Sequence, residues 1–260
     1  MARRSVGRVA AVEMNILRID RLNKSFGSLT VTDDVTLAIG EGERHVIIGP
    51  NGAGKTSLIN QIGGQLKPTS GRVLLRDRDI TGASPDRISR MGVGRTFQRN
   101  NLFQNLSVTA NIGLALQMRH GKPLNFFTPV ASSRALSERA AALMVQVHLP
   151  RDGARPAREL SYGEQRQLEI ALALAGEPAL LLLDEPTSGM SPRETARIIE
   201  LIAALPRTFS ILMIEHDMKV VFSIADRITV LYYGKILATG TPSEIQANDR
   251  VREVYLGMAR

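Results

Sequence analysis

The chain has no cysteine and no tryptophan, and aromatic residues make up only 4 % of it. Without cysteine there can be no disulfide, no thiolate metal site and no cysteine nucleophile, a composition that fits a reducing compartment. Few aromatics count against a stacking platform for single-stranded nucleic acid. Long apolar runs are missing too. The most apolar stretches, Ala171–Ala175 and Ala179–Leu183, are split by Gly176-Glu177-Pro178, and neither approaches the ~20 residues that span a bilayer. Arg3, Arg4 and Arg8 near the start are not followed by an apolar stretch of signal-peptide length. The chain is therefore expected not to cross a membrane itself.

Charge is spread out. Thirty-three Lys and Arg against 25 Asp and Glu leave +8, with no block of like charge. Such a surface fits a polyphosphate ligand or an anionic membrane, and equally a solvated basic face. The 43 % hydrophobic content is enough for a substantial core, in one large domain or two small ones.

Three textures follow one another. From Asn15 to about Ile80 the chain reads as strands and turns: Val35, Leu37 and Ile39 alternate with Thr36, Ala38 and Gly40, the period of a half-buried strand. Val46-Ile47-Ile48 is a short apolar strand, and helical spacing is expected from Lys55 to Leu66. The middle, about 101–160, is helical, with Leu136, Ala140, Leu143 and Val147 forming one apolar stripe. Ser132 or Ser133 would cap that helix, and Gly121 to Pro129 before it is an expected loop. From Glu177 on, the apolar runs Leu180–Leu183 and Ile211–Ile214 are separated by a helical stretch, Glu194 to Leu205. That alternation predicts a parallel sheet with crossover helices. Arg227 to Leu231 is a third strand, and Tyr233-Gly234-Lys235 turns it into Ile236-Leu237. Thr241-Pro242-Ser243-Glu244 has the residues of a capped helix start.

Chemistry concentrates at three places. Gly49-Pro50-Asn51-Gly52-Ala53-Gly54-Lys55-Thr56 matches the phosphate-loop pattern and lies between an apolar strand and a helix, the context that pattern requires. Glycines let successive amides turn inward around an anion, and the following helix presents its positive end. Lys55 can reach β- and γ-phosphates, and Thr56, followed by Ser57, offers a hydroxyl to Mg2+. ATP with Mg2+ is the expected ligand. Second, Leu180–Leu183 ends in Asp184-Glu185, which puts Asp184 at the C-terminal sheet edge, where ligands of such sheets bind. Asp184 can hold the metal, and Glu185 can orient or deprotonate an attacking water. Third, Ser161-Tyr162-Gly163-Glu164-Gln165 opens a helix. Ser161 with Glu164 is explained by a capping box. Gly163, a poor helix former in the first turn, is not, and a bare amide there suits contact with phosphate.

Leu160-Ser161-Tyr162-Gly163-Glu164-Gln165 followed by Leu182-Leu183-Asp184-Glu185-Pro186 resembles the ATP-binding-cassette (ABC) family, over nearly the whole chain. The resemblance implies an α/β P-loop NTPase of ABC type: a mainly parallel RecA-like core, an antiparallel β subdomain and an α-helical subdomain. It implies one ABC ATPase domain over 15–257, with the helical subdomain at about 100–175 and a basic N-terminal extension, 1–14. By residue, Phe26 matches the aromatic that stacks on adenine, Gln98 the glutamine that touches metal and attacking water, and His216 the switch histidine at the γ-phosphate. Ser161, Gly163 and Gln165 match the signature that closes over ATP held by a second subunit. Glu185, His216 and Gln98 are thus the expected catalytic residues, Thr56, Gln98 and Asp184 the expected metal ligands, and Phe26, Gly49 to Ser57 and the signature residues the nucleotide contacts. His45, His120 and His148 have no such context and read as structural or solvated. Two positions depart from the common pattern: Tyr162 stands where glycine is usual, and Ser191 where Asp is usual.

Within the family, Gly92 to Arg99, Ile214 to Met218, the ending Val254-Tyr255-Leu256-Gly257 and the segment between Gln117 and Ser133 resemble ATP-binding subunits of branched-chain amino acid importers. Importers of urea or amides share these features. The implied partners are a second ATPase subunit, identical or paralogous, two membrane-embedded permease subunits and, indirectly, a solute-binding protein, with the chain peripheral on the cytoplasmic membrane face. The alternatives are the ATPase of a lipopolysaccharide exporter, or an ABC ATPase acting on nucleic acid or ribosomes. An uninterrupted single cassette without a heptad run favours the transporter, and no nucleic acid is expected.

Overall fold

The computed structural model of the protein describes residues 14–96, 102–119 and 134–255. Gln98, the expected loop Gly121–Pro129, the caps Ser132 and Ser133, His120 and all of the extension except Met14 lie outside these residues.

Two sheets organise the molecule. The first is antiparallel and four-stranded, built from β1 (Asn15–Phe26), β2 (Leu29–Gly40), β4 (Ser70–Leu75) and β5 (Arg78–Asp79), in the order β2-β1-β4-β5. Val35, Leu37 and Ile39 are buried and Thr36 and Ala38 exposed, as the two-residue period predicts. The second sheet has six strands: β3 (Arg44–Ile48), β6 (Val93–Arg95), β7 (Leu180–Asp184), β8 (Ser210–Ile214), β9 (Arg227–Tyr232) and β10 (Lys235–Gly240). Its order is β10-β9-β3-β8-β7-β6, and every pair is parallel except the β9–β10 hairpin.

All five residues of β3, β7 and β8 are buried, because this sheet is covered on both faces. Alternate side chains enter different cores. Val46, Ile48, Leu181, Leu183, Ile211 and Met213 join the core shared with the helices. Ile47, Leu180, Leu182, Leu212 and Ile214 join the core shared with the antiparallel sheet. The helical layer includes α3 (Val108–Arg119), α4 (Arg134–Gln146) and α5 (Tyr162–Ala175). The Leu136–Val147 stripe packs inward there, with Ala140 and Val147 fully buried.

Helix α1 (Lys55–Ile62) is shorter than its spacing predicts. It stops at Gly63, which caps it, and the next residue, Gly64, is left-handed (φ +79°). A Cβ at Gly64 would lie 2.4 Å from the Ala83 carbonyl oxygen, so the turn there is obligatory and Leu66 falls outside the helix. Helix α2 (Pro85–Arg90) leads to β6, and α6 (Pro192–Ala204) starts two residues earlier than expected, with Pro192 in its first turn. The remaining helices are α7 (Met218–Ile224), α8 (Pro242–Ala247) and α9 (Asp249–Tyr255). Thr241 and Glu244 complete the predicted capping box of α8. His45 is buried between Glu43 and Thr229, 2.7 Å from each, and His148 is exposed, matching their structural or solvated reading.

Candidate functional site

The C-terminal ends of three adjacent strands form one edge. Register sets Ile47 of β3 beside Ile214 of β8, and Ile214 beside Asp184 of β7. The segments that leave these strand ends are therefore brought together: the phosphate loop after β3, Glu185 after β7, and Glu215-His216 after β8. The Glu185 N–H donates to the Ile214 carbonyl at 3.0 Å, and the Glu215 N–H to that of Ile47 at 3.3 Å.

The phosphate loop wraps the start of α1. Gly54 is left-handed (φ +99°), and a Cβ there would meet the Val31 carbonyl oxygen at 2.1 Å, so only glycine fits. As the helix N-cap it supplies no side-chain acceptor. The first amides of α1, on Lys55, Thr56 and Ser57, are thus left without a side-chain cap, the condition for binding an anion. Lys55 is buried, and its Nζ donates to the carbonyls of Gly49 (2.7 Å) and Pro50 (3.0 Å). Burial lowers its pKa, while the charges of Glu185 and Asp184 act against that. Asn51, Gly52 and Thr56 are exposed, and Ala53 is buried.

Asp184 is only 2 % exposed, and its Oδ1 has no hydrogen-bond partner among the described residues. Oδ2 lies 3.6 Å from the Arg95 guanidinium. Burial raises the Asp184 pKa; Glu185 adds to this, and Arg95, Arg166 and Lys55 oppose it. Asp184 Oδ1, buried and without a hydrogen-bond partner, and the exposed Thr56 at the head of α1 are hard-oxygen donors of the kind that hold Mg2+ together with phosphates. No group of three His, Cys, Asp or Glu among the described residues could hold a metal. These residues fit a magnesium that arrives with its nucleotide.

Glu185 adopts a left-handed backbone (φ 45°), a strained state for a side-chain-bearing residue that turns the chain sharply beside the site. Its Oε1 lies 3.8 Å from Nδ1 of His216, an exposed side chain. Phe26 is half exposed at the end of β1, with the Lys24 ammonium 4.8 Å from its ring centroid. The hairpin it belongs to reaches the phosphate loop through Val31.

The signature residues sit elsewhere. Ser161 caps α5 in the expected capping box, with Glu164. The Gln165 Nε2 donates to the Leu160 carbonyl at 3.1 Å. The Gly163 N–H is not bare, because Glu194 Oε1 accepts it at 3.3 Å. Tyr162 donates its hydroxyl to the Ser188 carbonyl at 3.2 Å. Ser191 caps α6, its hydroxyl donating to Glu194 Oε2 at 2.6 Å. The two departures from the common pattern thus fall on one brace between α5 and the loop after β7. The Ser191 hydroxyl, followed by its backbone N–H, holds the Glu194 carboxyl below its usual range.

Several residues that build the edge have no role assigned by the sequence. Arg166 of α5, buried, donates to the carbonyls of Asp184 (2.8 Å) and Pro186 (3.2 Å), and to Glu169 at 2.7 Å. Burial raises the Glu169 pKa in spite of the Arg166 hydrogen bond. Arg95 binds Asn60 of α1 at 2.6 Å as well as approaching Asp184. Tyr255 of α9 accepts the Gly49 N–H. Glu215 is fully buried. In the sequence Glu215 is a carboxylate directly after the apolar run Ile211–Ile214, within the Ile214–Met218 stretch.

Residues 32–188 match the family model described as ABC transporter, and residues 235–257 that described as branched-chain amino acid ATP-binding cassette transporter. The chain is 43 % identical over 251 residues to the high-affinity branched-chain amino acid transport ATP-binding protein LivG of Salmonella typhimurium, covering 94 % of this chain and 98 % of that one. Among solved structures it is similar to an ATP-binding cassette of an ABC transporter (TM-score 0.82, 31 % identity, 93 % of this chain and 99 % of that one). It is also similar to a dimeric cassette in a post-hydrolysis state bound to ADP and Pi (TM-score 0.73, 25 % identity, 87 % and 98 %).

Proposed function

The chain belongs to the ABC transporter family of ATPases, and from that premise we propose that it energises an importer of branched-chain amino acids or a related small polar solute such as urea or an amide. Support for the solute class comes from the C-terminal family match and the LivG resemblance. The observation that carries the ATPase mechanism is the shared sheet edge: Lys55 in the phosphate loop, Asp184 with its unpaired Oδ1, Glu185 and His216 all lie at or just beyond the ends of adjacent strands.

In this reading one domain, 15–257, with its helical part at about 100–175, binds ATP on Gly49–Ser57. The amides heading α1 hold the phosphates, and Lys55 exchanges its loop carbonyls for β- and γ-phosphate oxygens. Phe26 stacks on adenine, which needs only an accessible π-face. Asp184 and Thr56, with Gln98, hold Mg2+, whose chemistry is to neutralise charge developing on the phosphates. Glu185 orients and deprotonates the attacking water, and His216 contacts the γ-phosphate. Ser161, Gly163 and Gln165 of a second, identical or paralogous subunit close over the nucleotide and exclude water. Closure and reopening drive two permease subunits, and through them a solute-binding protein, with the chain peripheral on the cytoplasmic membrane face. No helix among the described residues is long and apolar enough to cross a membrane.

The test is Glu185→Gln. Turnover should fall by about 100-fold or more with Mg-ATP affinity kept; unchanged turnover refutes the assignment. Stimulation of the assembled transporter by leucine-, isoleucine- or valine-loaded binding protein, rather than by urea or amides, would fix the solute.

A further inference from the structure

Glu215 is fully buried at the tip of β8, and among the described residues no lysine or arginine forms an ion pair with it. A buried carboxylate without a cation is costly unless it is fully hydrogen-bonded, and here three donors meet it. Its Oε1 accepts the Thr187 N–H at 3.1 Å and also the Thr187 hydroxyl. Its Oε2 accepts the His216 N–H at 2.9 Å and lies 3.8 Å from His216 Nδ1. Thr187 is two residues beyond Glu185, and the imidazole of His216 lies as close to Glu185 as to Glu215. The carboxylate thus bridges the loop that carries Glu185 to the residue that faces it. Its own N–H is tied to Ile47, just before the phosphate loop.

A side chain that only caps a strand end has no need of two acceptor oxygens pointing at two different loops. We propose that Glu215 is a positioning residue for ATP hydrolysis. Its carboxylate fixes the Glu185–Thr187 loop and the His216 backbone in one register, so that both side chains address the same γ-phosphate. The inference rests on the proposed roles of Glu185 and His216.

Glu215→Gln is nearly isosteric but replaces one acceptor oxygen with an NH2 donor. Whichever way the amide turns, it faces either the Thr187 donors or the His216 N–H, and one end of the bridge opens. In the full chain, well below its melting temperature, kcat is expected to fall by about 10- to 100-fold, the scale of a small misplacement of reacting groups. Mg-ATP affinity should change by less than about 3-fold, since the phosphate loop is untouched. Thr187→Val, which removes only the hydroxyl, should lower kcat in part, Thr187→Ser should restore it, and Thr187→Val in the Glu215→Gln background should cost little more. If Glu215→Gln does not fold, the Thr187 pair carries the test alone.

A Glu215→Gln enzyme with unchanged kcat, a loss confined to ATP affinity, or an indifferent Thr187→Val would each overturn the proposal. Glu185→Gln measured alongside separates the two ideas. If it keeps full turnover, the underlying reading fails and this proposal with it. If Glu185→Gln is inactive while Glu215→Gln is not, only the positioning role fails.

Discussion

The backbone N–H of Gly49 donates to the hydroxyl oxygen of Tyr255 at 2.8 Å, joining positions 206 residues apart. The phosphate loop is thereby held at its first residue by the last described helix. Burial pushes the Tyr255 phenol above its usual pKa, partly offset by the Gly49 N–H. The hydroxyl stays protonated through neutral pH, and the stability tied to it is lost only as pH rises through that raised value. Tyr255→Phe leaves the Gly49 amide without its acceptor, at about 1–2 kcal/mol, or roughly 2–4 °C of melting temperature per kcal/mol. Calorimetry should show that loss, and ATP titration a weaker affinity.

Asp184 gives a prediction of opposite sign. Burial is the main cause of its raised pKa. The group's contribution to stability is therefore fully present below the unfolded-state value of about 3.9 and is lost as pH rises through the higher folded value. Ionising this buried carboxyl works against the metal-free fold. Asp184→Asn is expected to melt higher than the parent at pH 7 without Mg2+, with the gain vanishing toward pH 4. The same variant should lose the further rise that Mg-ATP gives the parent.

Ser191 stands where Asp is usual in the family, yet both residue types cap helices well. Ser191→Asp keeps a capping acceptor but replaces the hydroxyl that donates to Glu194 with a second carboxylate, and should lower the melting temperature by about 1–3 °C at neutral pH. Ser191→Ala removes the hydroxyl shared by the Glu194 amide and carboxylate and should cost about 1 kcal/mol. Thermal melts of the three proteins decide this.

Tyr162→Phe removes only the bond to the Ser188 carbonyl. ATP binding by separate chains should be unchanged, because the phosphate loop is remote in sequence and bonding. Turnover at high chain concentration, where subunits pair, should fall several-fold, about 1 kcal/mol for one hydrogen bond. Equal turnover would show that this brace plays no part in closure.

Much of the fold was legible because its signals are local. Alternation gave β2, apolar runs gave β3, β7 and β8, and Thr241 with Glu244 gave the start of α8. The end of α1 was missed because apolar spacing continues past Gly63, while the stop is imposed by the Ala83 backbone, distant in sequence. At the site, Lys55, Asp184, Glu185 and His216 could be named from motifs. The bonds of Arg166, Tyr255, Glu194 and Glu215 could not, since each joins segments whose proximity only the folded sheet creates. Gly163 shows the difference best: its amide reads as free for phosphate, and the structure gives it to Glu194.

Strand β7 has Leu181 and Leu183 in one core and Leu180 and Leu182 in the other. It is a bulkhead between two filled compartments, and Asp184 is its rim. A void on either side, from Leu181→Ala or from Leu182→Ala, would let the same carboxylate drift, in opposite directions. By the same mechanics, a push on the helical layer would reach the phosphate edge through the packed side chains of this strand.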